Sequence, residues 1–85
     1  MGDGVFRYRA DVLERLLTHG LRPTESTRPE LMHEFVSDLY RYEIRRLRDR
    51  LLAGEFPKKE YAGRVIELRM KYRIISMRAP EWLVP

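Results

Sequence analysis

The sequence predicts an all-α domain of three helices, the last two forming a long antiparallel hairpin, with a C-terminal tail packing back on them. Three observations carry this. A stretch from Thr27 to Gly54 has start and stop signals at its two ends and none between. The connector after it, Gly54-Glu55-Phe56-Pro57, is short enough to force neighbouring helices antiparallel. Beyond it, Tyr61, Val65, Leu68 and Tyr72 recur at i, i+4, i+7 and i+11, the spacing of a seam along one groove. One domain spans residues 1–85, with helix 1 at about 5–19, helix 2 at about 28–53, helix 3 at about 58–75 and the tail at 76–85.

Helix 1 is expected to be capped by Asp3 and to bury Val5, Phe6, Val12, Leu13, Leu16 and Leu17. Its firm part is the two i, i+4 pairs Val12–Leu16 and Leu13–Leu17. Arg9 falls inside the apolar stripe, which leaves residues 5–9 either frayed or extended. Gly20 ends the helix, with His19 in the last turn, where a cation or donor suits the free carbonyls. Residues 21–26 connect, because Arg22 precedes Pro23 and is pushed out of the helical region.

Helix 2 opens with Thr27-x-x-Glu30, a capping-box pattern, and with Pro29 in the first turn, where no intrahelical N–H is lost. Gly54 supplies the left-handed stop. Early in the helix Leu31, Met32, Phe35, Val36 and Leu39 share a face. From Tyr40 onward the apolar residues are Tyr40, Ile44, Leu47 and Leu51, whose mean direction is rotated by about 115°. A stripe that turns implies two neighbours, helix 1 against the first half and helix 3 against the second. Phe56 is placed to make the hydrophobic contact of a Schellman cap, and Pro57 starts helix 3. Glu60–Arg64 and Glu67–Lys71 are favourable i, i+4 pairs. Pro80 stops any continuation, yet Trp82, Leu83 and Val84 make the tail too apolar for disorder; Trp82 either folds back over the open side of the hairpin, the favoured reading, or inserts into a second subunit or another protein.

Leu47–Leu52, Gly54, Phe56, Glu60, Tyr61 and Leu68, within RLRDRLLAGEFPKKEYAGRVIEL, follow a known rhythm: leucine-rich helix, glycine, hydrophobe, short acidic turn, then Glu-aromatic opening a second helix. Over residues 44–73 the chain resembles the short bacterial helical-hairpin module called SHOCT. It departs from that pattern at Pro57, Lys58 and Lys59, where the family prefers threonine and acids. The resemblance implies an oligomerisation or docking hairpin without catalytic residues.

Composition narrows the function classes. Lys and Arg number 17 against 13 Asp and Glu, for a net charge of +4, and most basic side chains have an acid nearby on the helical lattice. No cysteine is present, which removes disulfides and thiolate metal sites and fits a reducing compartment. No apolar run is long enough for a membrane span or a signal peptide. The expected location is the cytoplasm, with no membrane partner.

The spacing Glu30-x-x-His33 places two metal-capable side chains on one helical face. A di-metal bundle needs a second such motif and two further carboxylates, and the only other histidine is His19. No residue pattern marks a nucleophile, a phosphate loop or a steeply crossed helix-turn-helix. The expectation is therefore a non-enzymatic protein with no catalytic, cofactor or metal residues. Arg41, Arg45 and Arg48 line one face of helix 2, with Glu34 and Asp38 one to two turns earlier on the same side; Arg46 and Arg50 line another, beside Glu43 and Asp49.

Two readings follow. In the first, the chain is an interaction module that self-associates, as a dimer, or docks on another protein through Phe6, Tyr8, Tyr42, Leu52 and Trp82. Tyr42 and Leu52 are apolar positions that neither half-stripe accommodates. In the second, Arg41, Arg45, Arg46 and Arg48, interleaved with Tyr40 and Tyr42, contact a nucleic-acid phosphate backbone. Acids interrupt both arginine rows, which favours the first.

Overall fold

A computed structural model describes residues 5–85; the cap expected at Asp3 lies outside the described residues. The architecture is all-α. Helix α1 runs Ala10–Thr18, α2 Pro29–Leu52 and α3 Tyr61–Lys71, with single 3₁₀ turns at Lys58–Glu60, Arg73–Ser76 and Ala79–Trp82.

Both glycine stops form complete Schellman motifs. After α2, Gly54 adopts φ +75°, its N–H donates to the Leu51 carbonyl at 3.0 Å, and the Glu55 N–H donates to the Arg50 carbonyl at 3.0 Å. After α1, Gly20 at φ +76° and Leu21 repeat the pattern onto Leu17 and Leu16. At the second motif the flanking residues are apolar, Leu16 in the core cluster and Leu21 packed against that cluster. At the first it is an ion pair, Arg50 Nε to Glu55 Oε1 at 3.1 Å. Phe56 lies one residue too late for the contact assigned to it above. It is buried instead with the Arg64 guanidinium 4.2 Å and the Arg50 guanidinium 5.7 Å from its ring centroid.

Helix starts depart from expectation. The N-cap of α2 is Arg28, and no side chain caps it. Thr27 does not build the capping box because its hydroxyl accepts the Thr24 N–H at 2.9 Å, closing the turn that precedes the helix. Helix α1 begins at Ala10, not near residue 5. Residues before it are extended because the tail gives them a strand-like partner. Tyr8 and Leu83 form an isolated antiparallel bridge, the Arg9 N–H donates to the Trp82 carbonyl at 2.9 Å, and the Val84 N–H donates to the Arg7 carbonyl at 2.7 Å. Helix 3 also ends early. Tyr72, at φ −107° and ψ 29°, turns the chain into 3₁₀ geometry.

The hydrophobic face of α2 does not swivel. Leu31 and Phe35 are exposed, and the buried residues Pro29, Val36 and Leu47 project within about 20° of one another. One face serves both neighbours, because α3 and the turns after it return along the same side of α2. The second half of α2 meets α3, as expected. The first half meets the turns at Arg73–Ser76 and Ala79–Trp82 more extensively than it meets α1.

The core joins Tyr8, Val12, Leu16, Val36, Tyr72, Ile74 and Trp82. Trp82, fully buried, donates its indole N–H to the Ile74 carbonyl at 3.2 Å and tilts against His33, with centroids 5.1 Å apart. His33 Nε2 sits 3.0 Å from the Ile75 carbonyl and 2.9 Å from that of Met77. Both partners only accept, so Nε2 carries the proton. Trp82 and His33 together hold the backbone of residues 74–77 against α2.

Tyr72 is the second hub. Its ring stacks on His19 at 4.3 Å and 14°, tilts against Tyr40 at 5.5 Å, and its hydroxyl donates to the Glu43 carboxylate. Lys71 reaches the same carboxylate at 3.2 Å, where pairing with Glu67 was expected; the Glu60–Arg64 pair forms at 3.1 Å. Burial against Tyr72 lowers the His19 pKa, partly opposed by the Lys71 backbone carbonyl. Burial thus disfavours the charged imidazole, and His19 serves as a stacking partner of Tyr72 in place of a helix-terminal cation.

These groups set a pH profile. Burial, reinforced by the Glu30 charge, pushes the Tyr8 pKa up to about 12, with its hydroxyl donating to the Thr27 carbonyl at 2.6 Å. Burial and the Glu43 contact raise Tyr72 further in the same direction. A raised phenol stabilises the fold fully below its unfolded pKa of about 10 and loses that contribution as pH climbs through the folded value. A lowered imidazole does the reverse: His19 contributes fully above about 6.5 and less as pH falls below it. Urea midpoints measured from pH 4 to 12 should fall at both ends, and Tyr8→Phe should flatten the alkaline limb. An alkaline limb unchanged by that substitution would remove the assignment.

Candidate interaction surface

The molecule is long for its chain. Its principal extents are 55 × 18 × 17 Å and its radius of gyration is 15.6 Å, against about 12 Å for a compact domain of this length. The core occupies the end built by α1, the first half of α2 and the tail. The second half of α2 and α3 project as a two-helix arm, in which Leu47 and Phe56 are the buried hydrophobic residues. Two helices alone leave outward faces uncovered, and apolar side chains stand on them: Tyr42 and Leu52 on α2, Ile66 and Met70 on α3.

The five residues expected at an interface separate into two groups. Trp82 and Tyr8 are buried in the chain's own core and drop out of any docking surface; Phe6, half-buried, packs against that core. The tail and the opening segment satisfy each other, which is why these aromatics need no external partner. Tyr42 and Leu52 remain exposed, at 52% and 75%. Leu31 and Phe35, assigned above to the core, join them at 59% and 54%.

The four arginines do not form one row. Arg46 turns towards Tyr42, its guanidinium 6.0 Å from the ring centroid and 3.5 Å from the hydroxyl, which raises its pKa. Arg41, Arg45 and Arg48 lie together on the solvent side of α2. Arg41 pairs with Asp38 at 2.5 Å, whereas among the described residues Arg45 and Arg48 make no ion pair. Arg69, from α3, is the addition that only packing reveals. With Arg41 and Arg45 it rims an open groove of about 620 Å³ floored by Tyr40, Ile44, Tyr61 and Val65. The opposite groove between the same helices is laced with charges of both signs, including Glu43, Glu67, Arg64 and Lys71.

His33 spends its Nε2 on the backbone carbonyls of the tail, and among the described residues no three His, Asp or Glu side chains converge on a point where a metal ion could sit. No helix among the described residues is long and apolar enough to cross a membrane.

The fold is an all-α helical hairpin, and the solvent side of its longest helix carries exposed Leu31, Phe35, Tyr42 and Leu52 together with Arg41, Arg45 and Arg48. Comparison with protein-family models, with curated proteins and with solved structures found no match to this chain.

Proposed function

We propose that the chain is a small non-enzymatic protein–protein interaction module that works by self-association through the outer side of α2. The observation that carries this is the run of exposed apolar side chains Leu31, Phe35, Tyr42 and Leu52 on a helix whose other side is already covered. Apolar groups left on one side of a long helix are what a partner helix buries. The likeness of residues 44–73 to the SHOCT hairpin leans the same way. Self-association needs no metal or cofactor, and a chain without cysteine fits a reducing compartment such as the cytoplasm.

Sedimentation velocity tests it. Wild type should sediment above the 10.3 kDa of one chain. Phe35→Glu and Leu52→Glu should each reduce the mass to monomer while far-UV circular dichroism is unchanged, because both positions are exposed. Monomeric wild type at every accessible concentration would defeat self-association.

A second reading has one observation in its favour. Arg45 and Arg48 lack ion pairs among the described residues, and Arg69 lies across the groove from Arg45. Such a cluster suits a phosphate backbone. Binding to duplex DNA that weakens steeply with salt, and disappears on Arg45→Glu with Arg48→Glu, would favour this reading over the first.

A further inference from the structure

The exposed side of α2 carries a pattern that specifies its own partner. Taken at alternating three- and four-residue steps, the stripe reads Leu31, Glu34, Asp38, Arg41, Arg45, Arg48, Leu52, and every one of these side chains is exposed. All seven project within an arc of about 100° on the helix. Side chains at this spacing lie along one side of the helix, the side that a second helix packed lengthwise would meet, with leucine at both ends and charges between. The charges along it are segregated. Residues 29–40 hold three acids and no Lys or Arg; residues 41–52 hold five arginines against two acids, a net +3.

Reversed, the stripe complements itself. Laid antiparallel on a second copy about a two-fold axis at Arg41, Leu31 meets Leu52, Glu34 meets Arg48 and Asp38 meets Arg45, each contact occurring twice. The two Arg41 side chains meet at the axis, each held by its own Asp38 at 2.5 Å. A parallel pairing would instead set acid on acid and arginine on arginine. Arg45 and Arg48, the arginines of this stripe without an ion pair among the described residues, are the two to which the antiparallel pairing supplies an acid. We infer that the partner of this surface is a second copy of the chain, docked antiparallel along α2 in this register. The inference rests on the self-association proposed above and adds orientation, register and the residues that set them.

Exposed ion pairs set orientation more than strength, and Leu31, Leu52, Phe35 and Tyr42 supply the apolar contact. One helix pair lies at the small end of specific interfaces, so the dimer is reversible and dissociates as salt screens the four pairs.

Charge exchange provides the test. Glu34→Arg with Asp38→Arg makes the stripe wholly basic; Arg45→Glu with Arg48→Glu makes its charges acidic except at Arg41. Each double variant alone should lose self-association by roughly tenfold or more and sediment as monomer. An equimolar mixture should regain twice the mass of one chain. Because the chain has no cysteine, Leu31→Cys and Leu52→Cys add a register test: mixed and oxidised they should cross-link to each other, while either alone should not. A mixture that stays monomeric while wild type dimerises overturns this orientation and leaves self-association standing. Efficient cross-linking of Leu31→Cys to itself overturns it equally. Monomeric wild type overturns both.

Discussion

Replacing Trp82 with alanine is expected to destabilise the protein by about 3–5 kcal/mol, the range for truncating a fully buried large aromatic. Three losses coincide there. The indole fills the space between α2 and the turn at Arg73–Ser76, its N–H satisfies the Ile74 carbonyl at 3.2 Å, and its ring is the surface against which His33 packs. Domains are stable by only about 5–15 kcal/mol, and small ones sit at the low end. The variant should therefore be largely unfolded near physiological temperature. Urea titration followed by far-UV circular dichroism measures this, since the substitution removes the only tryptophan and with it the fluorescence signal. Trp82→Phe should cost less, because it keeps most of the packing and forfeits one hydrogen bond. A Trp82→Ala penalty below about 1 kcal/mol would mean that the tail is an appendage.

The second large effect separates two adjacent leucines. Leu16 is fully buried and Leu17 is 52% exposed, although both belong to i, i+4 pairs that look equivalent in sequence. Leu16→Ala should cost about 2–5 kcal/mol, through lost transfer energy and the cavity left between α1 and the Tyr72–Trp82 cluster. Leu17→Ala should cost no more than about 0.5 kcal/mol. Equal penalties at the two positions would show that α1 is rotated from the phase that buries Val12 and Leu16. Neither substitution touches the outer side of α2, so the oligomeric state of the folded fraction is expected to stay unchanged in both.

The largest departure between sequence pattern and structure is at Leu31 and Phe35. Helical periodicity groups them with Met32, Val36 and Leu39, and nothing local distinguishes the members of that group. What separates them is how much surface the neighbouring segments can cover. The first half of α2 is covered by short 3₁₀ turns held through Trp82 and His33, which reach Met32 and Val36 but not the far edge of the stripe. His33 is a related case. Its spacing from Glu30 allowed a ligand pair that nothing else in the sequence supported, leaving a surface histidine as the expectation, whereas its ring bonds carbonyls 42 and 44 residues away. Thr27 shows the same effect at short range, where a hydroxyl with capping chemistry is captured by a competing turn.

Both glycine stops, the hairpin connector, the extent of α2 and the all-α class were legible in the sequence because each depends on backbone conformation over a few residues. Gly20 and Gly54 occupy left-handed positions that side chains strain to reach, and that requirement is local. The acids of α2 read in sequence as interruptions of its arginine rows; that Glu34 and Asp38 precede Arg41, Arg45 and Arg48 along one exposed stripe emerges once burial shows which side of the helix is free. Which apolar residues would be buried was decided only in three dimensions. Burial depends on the area a neighbour covers, and that neighbour was a tail whose anchoring by Trp82, Tyr8 and His33 follows from contacts between distant parts of the chain. Tertiary structure alone thus moved Trp82 and Tyr8 into the interior and left Leu31 and Phe35 outside.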